Sequence, residues 1–131
     1  MKDFLDTNIL IYAFIVGPRA RTARDLLYRG GVIAVQSLNE FAAVARRKHA
    51  LPWEKLRMTL DIIRMQCPNP VALGIDVHAL GLDIAQRHRF AIYDSMLLAA
   101  ALHARCDTFW SEDLHDGLVI DGRLTVRNPF R

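Results

Sequence analysis

Short, unbroken apolar runs alternate along this chain with longer amphipathic segments, and that alternation restricts the folds open to it more than any other feature. "KDFLD" at residues 2–6 reads as a short strand, and "VIAV" at 32–35 as a second buried strand. "VALGI" at 71–75, "DTFW" at 107–110, and the terminal "LVI" and "LTV" give further strand signals. Between them lie helical patterns. "NILIYAFIV" is a buried helix or helical turn halted at Gly17-Pro18, and "RARTARDLLYRG" is an amphipathic helix closed by Gly30-Gly31. "SLNEFAAVARRKHA" and "WEKLRMTLDIIRMQ" follow, the latter with Pro52 expected at its first helical position. "DVHALGLDIAQRHR" and the almost wholly apolar "YDSMLLAAALHARC" complete the set, the last read as a buried central helix. Continuous apolar strands separated by helices predict a parallel sheet covered on both faces. In such sheets ligands bind beyond the carboxyl ends of the strands, which says where to look for chemistry.

Size supports this reading. At 131 residues the chain is expected to form one domain, 1–131, able to bury a core without staples. Cys67 and Cys106 lack metal-ligand spacing and are expected to be reduced thiols. Met1-Lys2 leads at once into the first strand, so no signal peptide is expected. Ile9 to Val16 is too short to span a bilayer, so the expected setting is cytoplasmic, without membrane attachment. The net charge of +3 permits a nucleic-acid partner without requiring one. Acids are unevenly chosen: Glu occurs only at 40, 54 and 112, and the rest are Asp, which favours caps, turns and metal sites.

Four acids fall at strand and helix junctions. Asp6 follows the first strand. Glu40 is expected in the first turn of the helix after the second strand. Asp94 lies in the first turn of the buried helix, and Asp113 follows "TFW" by two residues. Each has an ordinary explanation. Asp6, Thr7 and Asn8 are all good helix caps, and "SLNE" has the form of a capping box with Ser37 as cap and Glu40 reaching back. Asp94 complements a helix dipole, and Ser111 to Asp113 suits a turn. Taken together the four resist that explanation. Two unit charges about 4 Å apart cost roughly 4 kcal/mol at an effective dielectric of about 20. A fold tolerates the cluster if a cation neutralises it or a carboxyl stays protonated. All-oxygen ligands select Mg²⁺ or Mn²⁺, and the absence of His or Cys from the pattern argues against zinc.

With these residues in view, the chain resembles the PIN-domain ribonucleases, and most of all the VapC-type toxins of toxin–antitoxin pairs. "FLDTNILIY", "SLNEF", "IYDSMLLAAA" and "FWSEDLHDG" carry the likeness, in that order and over nearly the whole chain. The resemblance implies a three-layer α/β/α sandwich with a short, mainly parallel sheet, and Mg²⁺- or Mn²⁺-dependent cleavage of RNA. It also implies a homodimer and a small VapB-like antitoxin partner. Asp6, Glu40, Asp94 and Asp113 match the four family acids as metal ligands and catalytic groups. Thr7, Asn8 and Ser111 stand ready to orient them, and Glu112 and Asp116 flank the last acid as candidate further ligands. The tryptophan often found beside the third acid is absent, the order here being Tyr93-Asp94-Ser95. Arg46, Arg47 and Lys48, with Arg19, Arg21 and Arg24, are a candidate phosphate-contacting rim, set against an ordinary solvated helix face. The five histidines are expected on the surface or in packing, with His115 of interest beside Asp113. Trp53 and "LDIIRM" suggest core or a partner groove. The competing readings are a phosphoacceptor domain, receiver-like or phosphatase-like, and a silent RNA- or protein-binding module of the same fold. A phosphatase wants an acid where Asn8 stands, and a receiver wants a late lysine where the last is Lys55.

Overall fold

A computed structural model of the chain describes residues 2–14 and 17–131. The elements run β1 (Asp3–Leu5), α1 (Thr7–Phe14), α2 (Ala20–Tyr28), α3 (Val35–His49), α4 (Trp53–Gln66), α5 (Ile75–His88), α6 (Ile92–His103), β2 (Thr108–Trp110), β3 (Val119–Ile120) and β4 (Leu124–Arg127). Ile15 and Val16, the end of the expected first helical run, lie outside the described residues. The sheet order is β1-β2-β4-β3, parallel except for the antiparallel β3–β4 pair.

Side-chain alternation along these strands divides the core in two. Phe4 and Phe109 are paired in register and stack with ring centroids 5.2 Å apart. They face a cluster built on α5, α6, Leu124 and Val126. Leu5, one residue on, points the other way, into a cluster with Ile9, Leu10, Leu27, Ile33, Phe41, Leu56 and Ile63 from α1 to α4. Helices thus cover both faces, and the expected three-layer α/β/α sandwich is the fold. Residues 95–102 of α6 are buried all round, as its composition predicts.

Three local expectations need correction. "VIAV" and "VALGI" are extended and hydrogen-bonded, but only as isolated bridges, Phe4↔Val32 and Ala34↔Val71. Helix α3 begins at Val35 and α5 at Ile75, leaving no room for longer strands. The capping box is shifted. Ala34 is the N-cap, and its backbone N–H donates to Ser37 Oγ at 3.1 Å, so Ser37 occupies the third helical position and Glu40 the second turn. Pro52 is the N-cap of α4, not its first helical residue.

Candidate active site

The four acids converge because of how each element ends. Asp6 extends β1 by one residue: its N–H donates to the Trp110 carbonyl at 3.0 Å, while its own carbonyl accepts from Ile9 N–H as α1 begins. Helix α6 runs directly into β2 through a short connection, so it must start at the carboxyl edge of the sheet. That places Asp94 beside Asp6. Glu40 arrives on α3, and Asp113 on the loop after β2. Asp6, Glu40, Asp94 and Asp113 all line one cavity of about 500 Å³.

Asp6 is the best-anchored member. It is 5% exposed. Its Oδ1 accepts the Thr7 N–H at 2.7 Å, and its Oδ2 accepts the Ser111 hydroxyl at 2.7 Å. Thr7 then reaches the second acid, its Oγ1 donating to Glu40 Oε1 at 3.2 Å. Fully buried Ser111 reaches the fourth, accepting the Asp113 N–H at 3.1 Å. Asn8 Nδ2 lies between two acids, 3.0 Å from Asp113 Oδ2 and 3.4 Å from Asp6 Oδ2. Its own Oδ1 is buried and unpartnered. Thr7, Asn8 and Ser111 therefore hold the acids in register.

Burial pushes the Asp6 carboxyl up to about 7, with the charges of Asp94 and Asp113 adding to it, although the Ser111 and Thr7 hydrogen bonds pull the other way. Burial also raises Glu40 and Asp94, helped by the charge of Asp94 in the first case and Asp113 in the second; the Thr7 hydroxyl partly offsets the rise at Glu40. Among the described residues, none of the four acids forms a salt bridge with Lys or Arg. No three His, Cys, Asp or Glu side chains among those residues close on a single point, and the Asn8 amide bridges Asp6 and Asp113. The donor chemistry nonetheless fits a hard divalent ion: oxygen only, mutually repelling, lining one cavity and, among the described residues, not ion-paired with Lys or Arg.

The remaining candidates separate. Glu112 turns away from the cavity to pair with Arg19 and to accept the Tyr12 hydroxyl at 2.6 Å. Asp116 accepts the Asn128 N–H at 2.9 Å. Arg46 lies over Trp53 at 4.6 Å and donates to the Leu51 carbonyl. Of the basic trio 46–48 only Lys48 lines the cavity, and it does so with His49, Val44, Ile11 and Tyr12. Those four were not singled out from the sequence. The signal was there in part: Glu40, Val44 and Lys48 are spaced i, i+4, i+8 on one helical stripe. His115, exposed, is not among the lining residues.

Comparison with known proteins agrees with this architecture. The family model described as PIN domain matches residues 4–115. No curated protein matches the chain in sequence. Among solved structures, a toxin–antitoxin complex from Klebsiella pneumoniae superposes with a TM-score of 0.73 at 23% identity, covering 98% of both chains. VapBC2 from Rickettsia felis, bound to a DNA fragment from their promoter, gives 0.69 at 18% identity, again over 98% of both. Mycobacterium tuberculosis VapC20, a sarcin-ricin loop cleaving toxin, gives 0.70 at 15% identity over 86% of this chain and 92% of its own. At such identities the likeness is one of fold.

Proposed function

The chain belongs to the PIN domain family, and from that premise we propose that it is a Mg²⁺-dependent endoribonuclease, with Mn²⁺ as an alternative ion, acting as the toxin of a toxin–antitoxin pair. The observation that carries the reading is the meeting of Asp6, Glu40, Asp94 and Asp113 on one cavity, none of them salt-bridged to Lys or Arg among the described residues. Asp6 and Asp94 are the principal ligands in this proposal, with Asp113 and Glu40 completing the charge. Held by these carboxylates, a divalent ion would supply Lewis acidity toward a phosphate oxygen and would lower the pKa of water. Ser111 and Thr7 orient the carboxylates, and Glu40, with its raised pKa, takes the proton of the attacking water. Lys48 faces the substrate backbone from the last turn of α3.

An RNA substrate is favoured over other phosphodiesters because one fold neighbour is itself a sarcin-ricin loop cleaving toxin. An antitoxin partner is favoured because two others are toxin–antitoxin assemblies. Exposed apolar side chains leave room for protein partners: Met58, Ile62 and Met65 along α4, and Ile75, Leu82, Ile92 and Tyr93 on α5 and α6. No helix among the described residues is long and apolar enough to cross a membrane, and a cytoplasmic setting is part of the proposal. The test is RNA cleavage with added Mg²⁺. Asp6→Ala and Asp94→Ala, folded by circular dichroism, should each lose roughly a thousandfold in rate. Folded variants that cleave like the wild type would overturn the assignment.

A further inference from the structure

We infer that Glu112 and Asp116, the two acids flanking Asp113, act as positioning residues: they tie the loop that carries Asp113 to the α1–α2 corner and to the C-terminal segment. The loop 111–116 has no regular structure, so its backbone must be fixed from outside. At its start, the Ser111 N–H donates to the Arg127 carbonyl at 2.9 Å. One residue later, the Glu112 carboxylate takes both the Arg19 guanidinium and the Tyr12 hydroxyl. Arg19 also donates to the Tyr12 hydroxyl at 3.0 Å, closing a three-way network. At the end of the loop, Asp116 holds Asn128, and Asn128 Oδ1 accepts the Phe130 N–H at 2.9 Å. That places the Phe130 ring edge-on to Tyr12, 5.2 Å between centroids, with the Arg19 guanidinium 5.2 Å from the Phe130 ring centre. The loop is thus held on both sides of Asp113 by groups that meet at Arg19, Tyr12 and Phe130.

A lone half-exposed ion pair contributes little to stability. This one differs in being joined to the Tyr12 phenol, the Phe130 ring and the C-terminal segment, so its effect is on geometry. Tyr12 also lines the cavity, which makes the same network part of the site's wall. The consequence for catalysis rests on the ribonuclease reading, because a misplaced carboxylate near the reacting phosphate is costly. The network itself does not rest on it.

Amide hydrogen exchange tests the network independently of activity. Arg19→Ala and Glu112→Ala should each speed exchange at the Asp113 amide by on the order of tenfold. The double variant should fall short of the sum of the two single ones, because Arg19 and Glu112 share one contact. Arg19→Lys should keep most of the protection, and Tyr12→Phe, the mildest change, should lose part of it. Arg87→Ala, which breaks a distant ion pair with Asp121, should leave exchange in 111–116 unchanged. Cleavage assays then read the positioning role: in Arg19→Ala, kcat should fall about tenfold with KM nearly constant, and Mn²⁺ binding by calorimetry should weaken. Unaltered exchange in both single variants, or additive effects in the double one, would overturn the network. Altered exchange with unchanged kcat and Mn²⁺ affinity would overturn the positioning role. A wild type that binds no Mn²⁺ and cleaves no RNA would instead sink the ribonuclease reading, with the exchange result still deciding the network.

Discussion

Asp6 is held by two hydrogen bonds that favour its ionised form, yet its carboxyl is pushed up to about 7. Loss of water at a nearly buried group outweighs both donors. The sign of the resulting pH dependence follows. The carboxyl titrates near 3.8 in the open chain and near 7 in the fold, so between those values the folded state binds the extra proton. Its contribution to stability is full below about 4 and is lost as pH rises through about 7. Glu40 and Asp94, also raised, act in the same direction. The metal-free protein is therefore expected to melt at a lower temperature at pH 8 than at pH 5, and Asp6→Asn should reduce that difference. A divalent ion competes with the proton, so Mg²⁺ should raise the melting temperature more at pH 8 than at pH 5. Thermal scans across this range, with and without the ion, check both. A flat profile for the wild type would remove the protonated-Asp6 account. At this scale the acids themselves were legible, since their type and junction positions are plain in the sequence. Lys48 and His49 were harder to place, because which face of α3 meets the cavity depends on how the helix is rolled against α1.

Helices α5 and α6 pack closely where Gly81 faces Met96. A Cβ there would lie 2.5 Å from Met96 Sδ and 3.3 Å from Met96 Cα. The sulfur can swing aside; the backbone atom cannot without moving α6. Alanine gains roughly 1 kcal/mol of helix propensity over glycine, against about 1–3 kcal/mol for overpacking. Gly81→Ala should therefore lose up to about 2 kcal/mol, read as a lower denaturant midpoint with unchanged slope. Because Met96 lies two residues after Asp94, RNA cleavage should fall as well if α6 is displaced. A stability gain in this variant would show that α6 moves without cost. Helix type was readable along the chain, and α4 matches its expected span. The start of α3 was not. "SLNE" has the form of a capping box, but the cap is Ala34, three residues earlier, and Ser37 turns back to it. Tertiary pairing of Ile33 and Val35 with Val71 determined that register, through bonds of 2.8 and 2.9 Å that no local pattern specifies.

Across the whole molecule, both faces of the sheet are covered, yet Ile75 is 82% and Tyr93 66% exposed on the α5–α6 side. Large apolar side chains left this exposed are candidates for an association surface. The purified chain is expected to run as a homodimer in light scattering, and Ile75→Glu with Leu82→Glu should shift it to monomer; a wild-type monomer would remove the expectation. The sequence by itself determined the class of fold and pointed to the four acids that line one cavity. Continuous apolar strands demand cover on both faces, and carboxylates just after strands or early in helices are brought to one sheet edge by chain connectivity. Only the tertiary structure decided what the neighbouring groups do. Glu112 and Asp116 stand one and three residues from Asp113 and look equally able to bind an ion. One is turned to Arg19 and Tyr12 and the other to Asn128, partners 93, 100 and 12 positions away in the chain. A side chain's role at such a site is set by which way its loop backbone faces. That direction is fixed by contacts distant in sequence, here with the α1–α2 corner and the chain's last residues.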